Sequence, residues 1–268
     1  MTTMTKSARY HIPAALLQPL WLRSRESLAD SGLIYDPLAA AACQQCHLAP
    51  DCLVGNVDQH QLLHATLTLL VDQRVQHFLR RFPNGHVINV GAGLDTRFYR
   101  LDNGRCRWLE LDCDENLLWR QKLFHASERY RMRPGSVTDL SWLSQLPTSF
   151  SSPVMLVCDQ ALLQISAQEV AKFVQRVGCH FNQLELCLVL AGDRCDSGLG
   201  HKLGTQAYAH GFEDPARQLL QWLPWAEQIS SHSPLTVPCP RWRPWQRWLS
   251  HLPSFGHRLT PVVSHLRF

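Results

Sequence analysis

Downstream of residue 85 the chain alternates short apolar runs with longer stretches of helical periodicity. His86-Val-Ile-Asn-Val90 predicts a strand ending in Gly91-Ala-Gly93, and residues 106–112 predict a second strand that stops on an acid. Residues 114–129 follow as a helix, with Leu117, Leu118 and Phe124 among its apolar positions. Residues 131–137 and 153–158 predict the third and fourth strands. Residues 167–181 space Val170, Phe173, Val174 and Val177 by three and four, the mark of an amphipathic helix. Leu184 to Leu190, apolar but for Glu185, predicts a fifth strand. Strands alternating with helices at this spacing predict an α/β fold with a parallel, doubly wound sheet.

The two ends read differently. Residues 1–82 are mostly helical in pattern, broken at Asp36-Pro37 and Ala49-Pro50-Asp51. Residues 222–254 carry Trp222, Trp225, Trp242, Trp245 and Trp248 among prolines, which suits an irregular cap better than a sheet. Residues 258–268 alternate into a last strand. The expected organisation is a helical cap over 1–82 and an α/β core over 83–268 closed by a C-terminal strand pair, with no linker or internal repeat between them.

Composition narrows the partners. The 268 residues carry 26 Lys+Arg and 22 Asp+Glu, a net charge of +4, too mild a balance to announce nucleic acid. No apolar stretch approaches the roughly 20 residues that span a bilayer, and the opening MTTMTKSARYHIP lacks the apolar centre of a signal peptide. The expectation is a cytoplasmic protein with no membrane partner. The 10 cysteines then read as reduced thiols or metal ligands and not as a disulfide framework. Of the cations only Lys6, Lys122, Lys172 and Lys202 are lysines; the other 22 are arginines.

The chemistry is expected at Gly91-Ala-Gly93-Leu-Asp95-Thr96, where a strand turns toward a helix. Glycines there let backbone approach a ligand, and free N–H groups at a helix start favour its polar part. Asp112 ends the next strand, where an acid accepts hydrogen bonds from ribose hydroxyls. Thr96 stands where a dinucleotide fingerprint has its third glycine, which favours a mononucleoside ligand.

These residues carry a resemblance. Val87-Ile-Asn-Val-Gly-Ala-Gly-Leu-Asp-Thr-Arg-Phe-Tyr-Arg-Leu101 resembles the signature of the leucine carboxyl methyltransferase family, which includes the tetracenomycin-type polyketide O-methyltransferases. Trp108-Leu-Glu-Leu-Asp112, the helix with Arg120, Gly135-Ser-Val-Thr-Asp-Leu-Ser-Trp142, Arg23-Ser-Arg25-Glu26-Ser27 and Ile34-Tyr-Asp36-Pro37-Leu-Ala39 resemble further family segments in order. The resemblance implies a class I, Rossmann-like fold, S-adenosylmethionine as cofactor, and methyl transfer to an oxygen. It implies that Gly91 and Gly93 line the methionine and ribose end, that Asp112 holds the ribose hydroxyls, and that Asp139 and Leu140 frame the adenine. Asp159 would carry the acid that faces the cofactor.

A carboxylate acceptor, with a pKa near 4, needs no general base at neutral pH, whereas a phenol near 10 benefits from one. No Asp–His base pair stands out in the sequence, which leans toward a small-molecule carboxylate in secondary metabolism. Arg23, Arg25 and Arg97 are the candidate clamps for such an anion, because a guanidinium grips a carboxylate with two parallel hydrogen bonds. Each also reads as an ordinary ion pair.

Three departures from the family pattern keep other readings open. Asp159-Gln160-Ala161-Leu162-Leu163-Gln164-Ile165 stands where the family reads Glu-Gly-Leu-Leu-Met-Tyr-Leu. Residues 60–71 lack the arginine that grips the cofactor carboxylate in the family, leaving His64 as the candidate substitute. Cys43-Gln-Gln-Cys46-His47, with Cys52 and with His60 and His64 further on, offers metal-ligand spacing, against a reading as buried helix cysteines. The alternatives are S- or N-methylation of a peptide or natural product, and an inactive methyltransferase-fold subunit with a protein partner.

Overall fold

In the computed structural model, residues 12–45 and 55–268 are described. Three helices precede the sheet: α1 (Ala14–Ser27), α2 (Pro37–Gln45) and α3 (Val57–Arg81). Asp36 and Asn56 start the latter two, accepting from the backbone N–H of Ala39, and of Asp58 and Gln59, which would otherwise lack partners. The sheet then builds as β1 (His86–Val90), α4 (Arg97–Leu101), β2 (Arg107–Asp112), α5 (Asp114–Leu123), β3 (Tyr130–Pro134), β4 (Val154–Cys158), α6 (Ala167–Gly178) and β5 (Leu184–Leu190). Four short helices follow, α7 (Gly198–His201), α8 (Pro215–Trp222), α9 (Pro244–Leu249) and α10 (Pro253–Leu259), together with β6 (Gln228–His232) and β7 (Val262–Arg267).

The seven strands lie in the order β3-β2-β1-β4-β5-β7-β6. β1 to β5 are parallel, as expected, and the C-terminal pair β6–β7 is antiparallel, with β7 also antiparallel to β5. A correction falls in the Trp-rich stretch, where residues 228–232 form β6. Its sequence, QISSH, has little apolar content to announce a strand; pairing with β7 supplies what the side chains do not.

Each face of the sheet buries a separate core. Val87, Met155, Val157 and Val189 meet Leu63, Leu67, Leu70 and Leu20 of the helices that precede the sheet. On the opposite face, Ile88, Leu156, Leu186 and Leu188 meet Val170, Phe173, Val174 and Val177 of α6. All seven residues of β5 are buried, as a central strand covered on both faces requires. Among the described residues no helix is long and apolar enough to cross a membrane.

Candidate functional site

The carboxyl ends of β1, β2 and β4 converge on the glycine turn. Gly91 and Gly93 have φ of 71° and 48°, a left-handed backbone that favours glycine. Gly91 also has no room for a side chain, since a Cβ there would lie 2.1 Å from Cβ of Ala161. Gly91→Ala is therefore expected to cost about 3 kcal/mol, combining backbone strain and overpacking. A thermal midpoint within 2–3 °C of wild type, against the roughly 6–12 °C expected, would contradict it. Thr96, by contrast, has φ of −109° and needs no glycine; its buried hydroxyl donates to Asp36.

Four of the turn's N–H groups bond within the protein, against the expectation of free donors there. Gly91 and Ala92 both donate to Leu111 O, and Asp95 donates to Ala92 O. Gly93 N–H donates to Asp112 Oδ2 at 2.6 Å. The following helix, α4, spans only Arg97–Leu101. The rim of the turn carries the acidic side chains of Asp112, Asp139 and Asp159. Asp112 also accepts from Asn116 Nδ2 at 2.8 Å, and Gly135 N–H donates to Asp112 O, which holds the β3–β4 loop beside it. That loop carries the exposed Asp139, whose Oδ1 accepts from Ser141 N–H, a hydrogen bond that lowers its pKa. Leu140 beside it is half-buried against the α6-side core. Asp159, at the end of β4, keeps a 19% exposed side chain.

Arginine–carboxylate networks anchor the turn from beneath. Arg120, fully buried, donates to Gly93 O and Asp95 O at 2.7 Å, to Glu110 Oε1 at 2.8 Å and to Tyr130 Oη at 2.6 Å. Burial raises the Glu110 pKa to about 7 even though Arg120 opposes the shift. Arg97 reaches Asp72 at 2.8 Å, Asp95 at 2.5 Å and Asp159 at 3.0 Å. Arg100 pairs with Asp36 and Asp72, both at 3.0 Å, and Arg23 pairs with Asp36 at 3.0 Å while donating to Leu94 O. Burial works to raise Asp36 and Asp95, but the surrounding arginines outweigh it and lower both, so these carboxylates stay ionised.

The three arginines singled out as anion clamps thus have different surroundings. Arg97, 1% exposed, has Nε, Nη1 and Nη2 each on a carboxylate, so the substrate-clamp expectation gives way there to an internal tie. Arg23 is buried in the same network. Arg25 alone is open, loosely paired with the exposed Asp58 at 3.2 Å and lying over the Trp21 ring. Sequence reasoning gave no role to Asp36, Arg100, Glu110 or Asn89, whose Nδ2 donates to Glu110 and Asp95. All four stand in segments that resemble the family, and Asp36 also precedes Pro37 at a helix start, but nothing in the sequence joins them.

His64, on α3, lies against the same network. Burial, reinforced by Arg23 and by Arg100 and Arg97 against an opposing Asp95, lowers its pKa to about 3. The unfolded chain then binds this proton near pH 6.5 and the native protein does not, so stability falls as pH drops from 6.5 toward 3. The contribution is about 1.4 kcal/mol per pH unit. Urea unfolding of wild type and His64→Gln at pH 7 and pH 5 is expected to show the wild type losing more. Equal losses would contradict the assignment, because the other histidines are common to both proteins.

Of the proposed metal ligands, Cys43 is buried in the core beside α1 and α3, while Cys46, His47 and Cys52 lie outside the described residues. No cluster of three or more potential metal ligands occurs among the described residues. Burial pushes the thiols of Cys187 and Cys195 up to about 12, which leaves them unreactive.

A seven-stranded sheet in this order, with a glycine turn after β1 and an acid ending β2, is the fold of the class I Rossmann-like methyltransferases. A Thermobifida fusca chain assigned to the methyltransferases is similar at TM-score 0.54 and 15% identity, over 92% of this chain and 93% of that one. A DUF574 family protein from Streptomyces avermitilis is similar at TM-score 0.57 and 10% identity, over 95% and 96%. Within that class, residues 17–149 match the family model for leucine carboxyl methyltransferase. The tetracenomycin polyketide synthesis O-methyltransferase TcmP of Streptomyces glaucescens is 26% identical over 111 residues, an alignment that covers 41% of this chain and 40% of TcmP.

Proposed function

We propose that the protein transfers a methyl group from S-adenosylmethionine to a carboxylate oxygen of a small molecule, in the cytoplasm and as a step of natural product biosynthesis. The observation that carries the cofactor reading is the set of three acids, Asp112, Asp139 and Asp159, at or just beyond the carboxyl ends of β2, β3 and β4. Three carboxylates suit a ligand that presents hydroxyls, an amino group and a cationic centre, and they repel an anionic one. Asp112 would accept from the ribose hydroxyls, Asp139 from the adenine amino group, and Leu140 would pack on the ring. Asp159 would face the cationic end. When bound, the cofactor supplies an electrophilic methyl carried on a sulfonium.

The residues of this chain then have three tasks: hold the nucleophile in line, keep water out, and leave the acceptor ionised. The described residues contain two histidine–carboxylate pairs, and neither suits a general base at the turn. His201 and Asp196 pair at 3.0 Å on an exposed segment around α7, and His265 pairs with the buried Glu185 at 2.7 Å across β5 and β7. Glu185 lies near the amino end of β5 and also binds Arg81 at 2.7 Å. An acceptor already ionised at neutral pH is thus favoured, and Arg25 is the clamp with an accessible guanidinium.

Labelled S-adenosylmethionine and a panel of carboxylates, phenols and thiols test this reading. Base-labile methyl esters on carboxylates are expected. Transfer only to phenols, thiols or amines would overturn the acceptor class. No calorimetric heat and no thermal shift with S-adenosylmethionine would favour an inactive subunit, a reading motivated by Ala161 packing against Gly91 beside the altered 159–165 segment.

A further inference from the structure

A cavity opens at the end of the strands away from the glycine turn. β3 and β4 are joined by residues 135–153, which contain only a 3-10 turn at Ser141–Gln145. Trp142 and Leu143 of that turn cover Leu111 near the carboxyl end of β2. Nearer the amino ends no helix covers this face of β2 and β3 among the described residues, and a cavity of about 290 Å³ remains. His86, Leu109 and Phe150 line it, with the His86 and Phe150 rings 4.5 Å apart.

Three exposed arginines share this face. Arg131 and Arg133 are two apart on the edge strand β3, paired in register with Leu109 and Leu111, and Arg107 precedes Leu109 by two on β2. Side chains so placed are direct or diagonal neighbours on one face. None of the three forms an ion pair with a carboxylate among the described residues. Arg129, also at the cavity, is neutralised by Asp102 through bonds of 2.5 and 2.8 Å, which leaves Glu128 as the one nearby acid. Arginines that serve only to keep an edge strand from pairing need no cavity beside them. Here they surround one, with an aromatic wall and an aliphatic floor.

We propose that this cavity is a binding site for a small anion with an apolar or aromatic body, held by Arg107, Arg131 and Arg133 at its charged end and by Phe150 and Leu109 along its ring. The volume suits a molecule of one or two fused rings and lies at the small end of the range for ligand pockets. The site is separated from the glycine turn by the length of a five-residue strand, roughly 15 Å. Its occupant is therefore a molecule other than the proposed cofactor, and the two sites are filled independently. His86 fits this role: burial and then Arg107 lower its pKa, keeping the imidazole neutral as a flat partner for an aromatic ring.

Calorimetric titration of the full chain with 1-naphthyl phosphate is the test. Saturable one-site binding is expected, at least about tenfold tighter than either 1-naphthol or inorganic phosphate. The triple variant Arg107→Gln/Arg131→Gln/Arg133→Gln should unfold near the wild-type temperature, since all three side chains are exposed, and should weaken 1-naphthyl phosphate at least about tenfold. Saturating S-adenosylhomocysteine should leave the affinity unchanged. No saturable binding, equal affinity for 1-naphthol, equal affinity of a folded triple variant, or displacement by S-adenosylhomocysteine would each overturn the proposal. Should the triple variant fail to fold, the comparison of 1-naphthyl phosphate with 1-naphthol decides in the wild type alone. The proposed methyl transfer is assayed separately, so neither result depends on the other.

Discussion

Asp112→Ala is expected to weaken S-adenosylmethionine binding by about 100-fold, close to 2.7 kcal/mol. Two hydrogen bonds from ribose hydroxyls to a carboxylate are charge-assisted, at about 1.5–3 kcal/mol each. Part of that is offset because Asp112 already accepts from Gly93 N–H at 2.6 Å, a bond that must lengthen or be shared when a ligand docks. The same bond makes the substitution a test of position as well as of contact: without it the turn loses one of the ties that fix Gly93. Asp112→Asn retains one acceptor oxygen and is expected to fall between the two, at about tenfold. Calorimetric titration of both variants against S-adenosylmethionine and S-adenosylhomocysteine provides the measurement. An affinity for Asp112→Ala within threefold of wild type would remove Asp112 from the site.

The strands were readable where burial alone dictates their composition. His86–Val90 and Leu184–Leu190 emerge at the bounds the apolar pattern predicts, because strands covered on both faces are mostly apolar, with the buried Asn89 and Glu185 as paired exceptions. The helix after β2 ends at Leu123, not at 129, since Phe124 already has extended backbone with ψ of 142° and turns the chain toward β3. β6 was unreadable because its strand character depends on β7, a partner some 30 residues away in sequence. The direction of β7 was equally hidden: alternation gives a strand its two faces but not its polarity.

The site divides in the same way. Gly91, Gly93 and Asp112 stand in local patterns, a turn and a strand end, that short-range spacing can reveal. The ion-pair network beneath them draws Asp36 from the segment before α2, Asp72 from α3, Asp95 from the turn and Asp159 from the end of β4. No spacing rule links those four positions, so a sequence shows their charges but not their meeting. Arg97 illustrates the consequence. Three residues from Arg100 and at a helix start, it reads equally as a substrate clamp or a surface cation; only the fold brings three carboxylates to it. The excess of arginine over lysine then acquires a physical reason, because a buried cation with several carboxylate partners needs the rigid, multi-donor geometry of a guanidinium.

Arg97→Met is accordingly expected to destabilise the protein by about 3–5 kcal/mol, the cost of leaving buried carboxylates without their cation. For a chain of this size that corresponds to a fall of roughly 10–15 °C in thermal midpoint. Methionine retains much of the volume, so the loss is electrostatic and not a cavity effect. Arg97→Lys keeps the charge but cannot place three donors in one plane, and is expected to recover only part of the loss. The pH dependence separates this role from a substrate contact. Burial and the arginines act in opposite senses on Asp95, and the arginines prevail, so its native pKa lies below 3.8 and its contribution is lost as pH falls below that value. Without Arg97 burial prevails and raises the Asp95 pKa, so the variant takes up a proton on folding and regains part of its lost stability as pH falls. Thermal unfolding of Arg97→Met between pH 4 and 7 should therefore differ least from wild type at the acid end. A variant that keeps its midpoint within 2–3 °C at pH 7 and loses only affinity for the acceptor would show instead that Arg97 serves the substrate, and the network would hold without it.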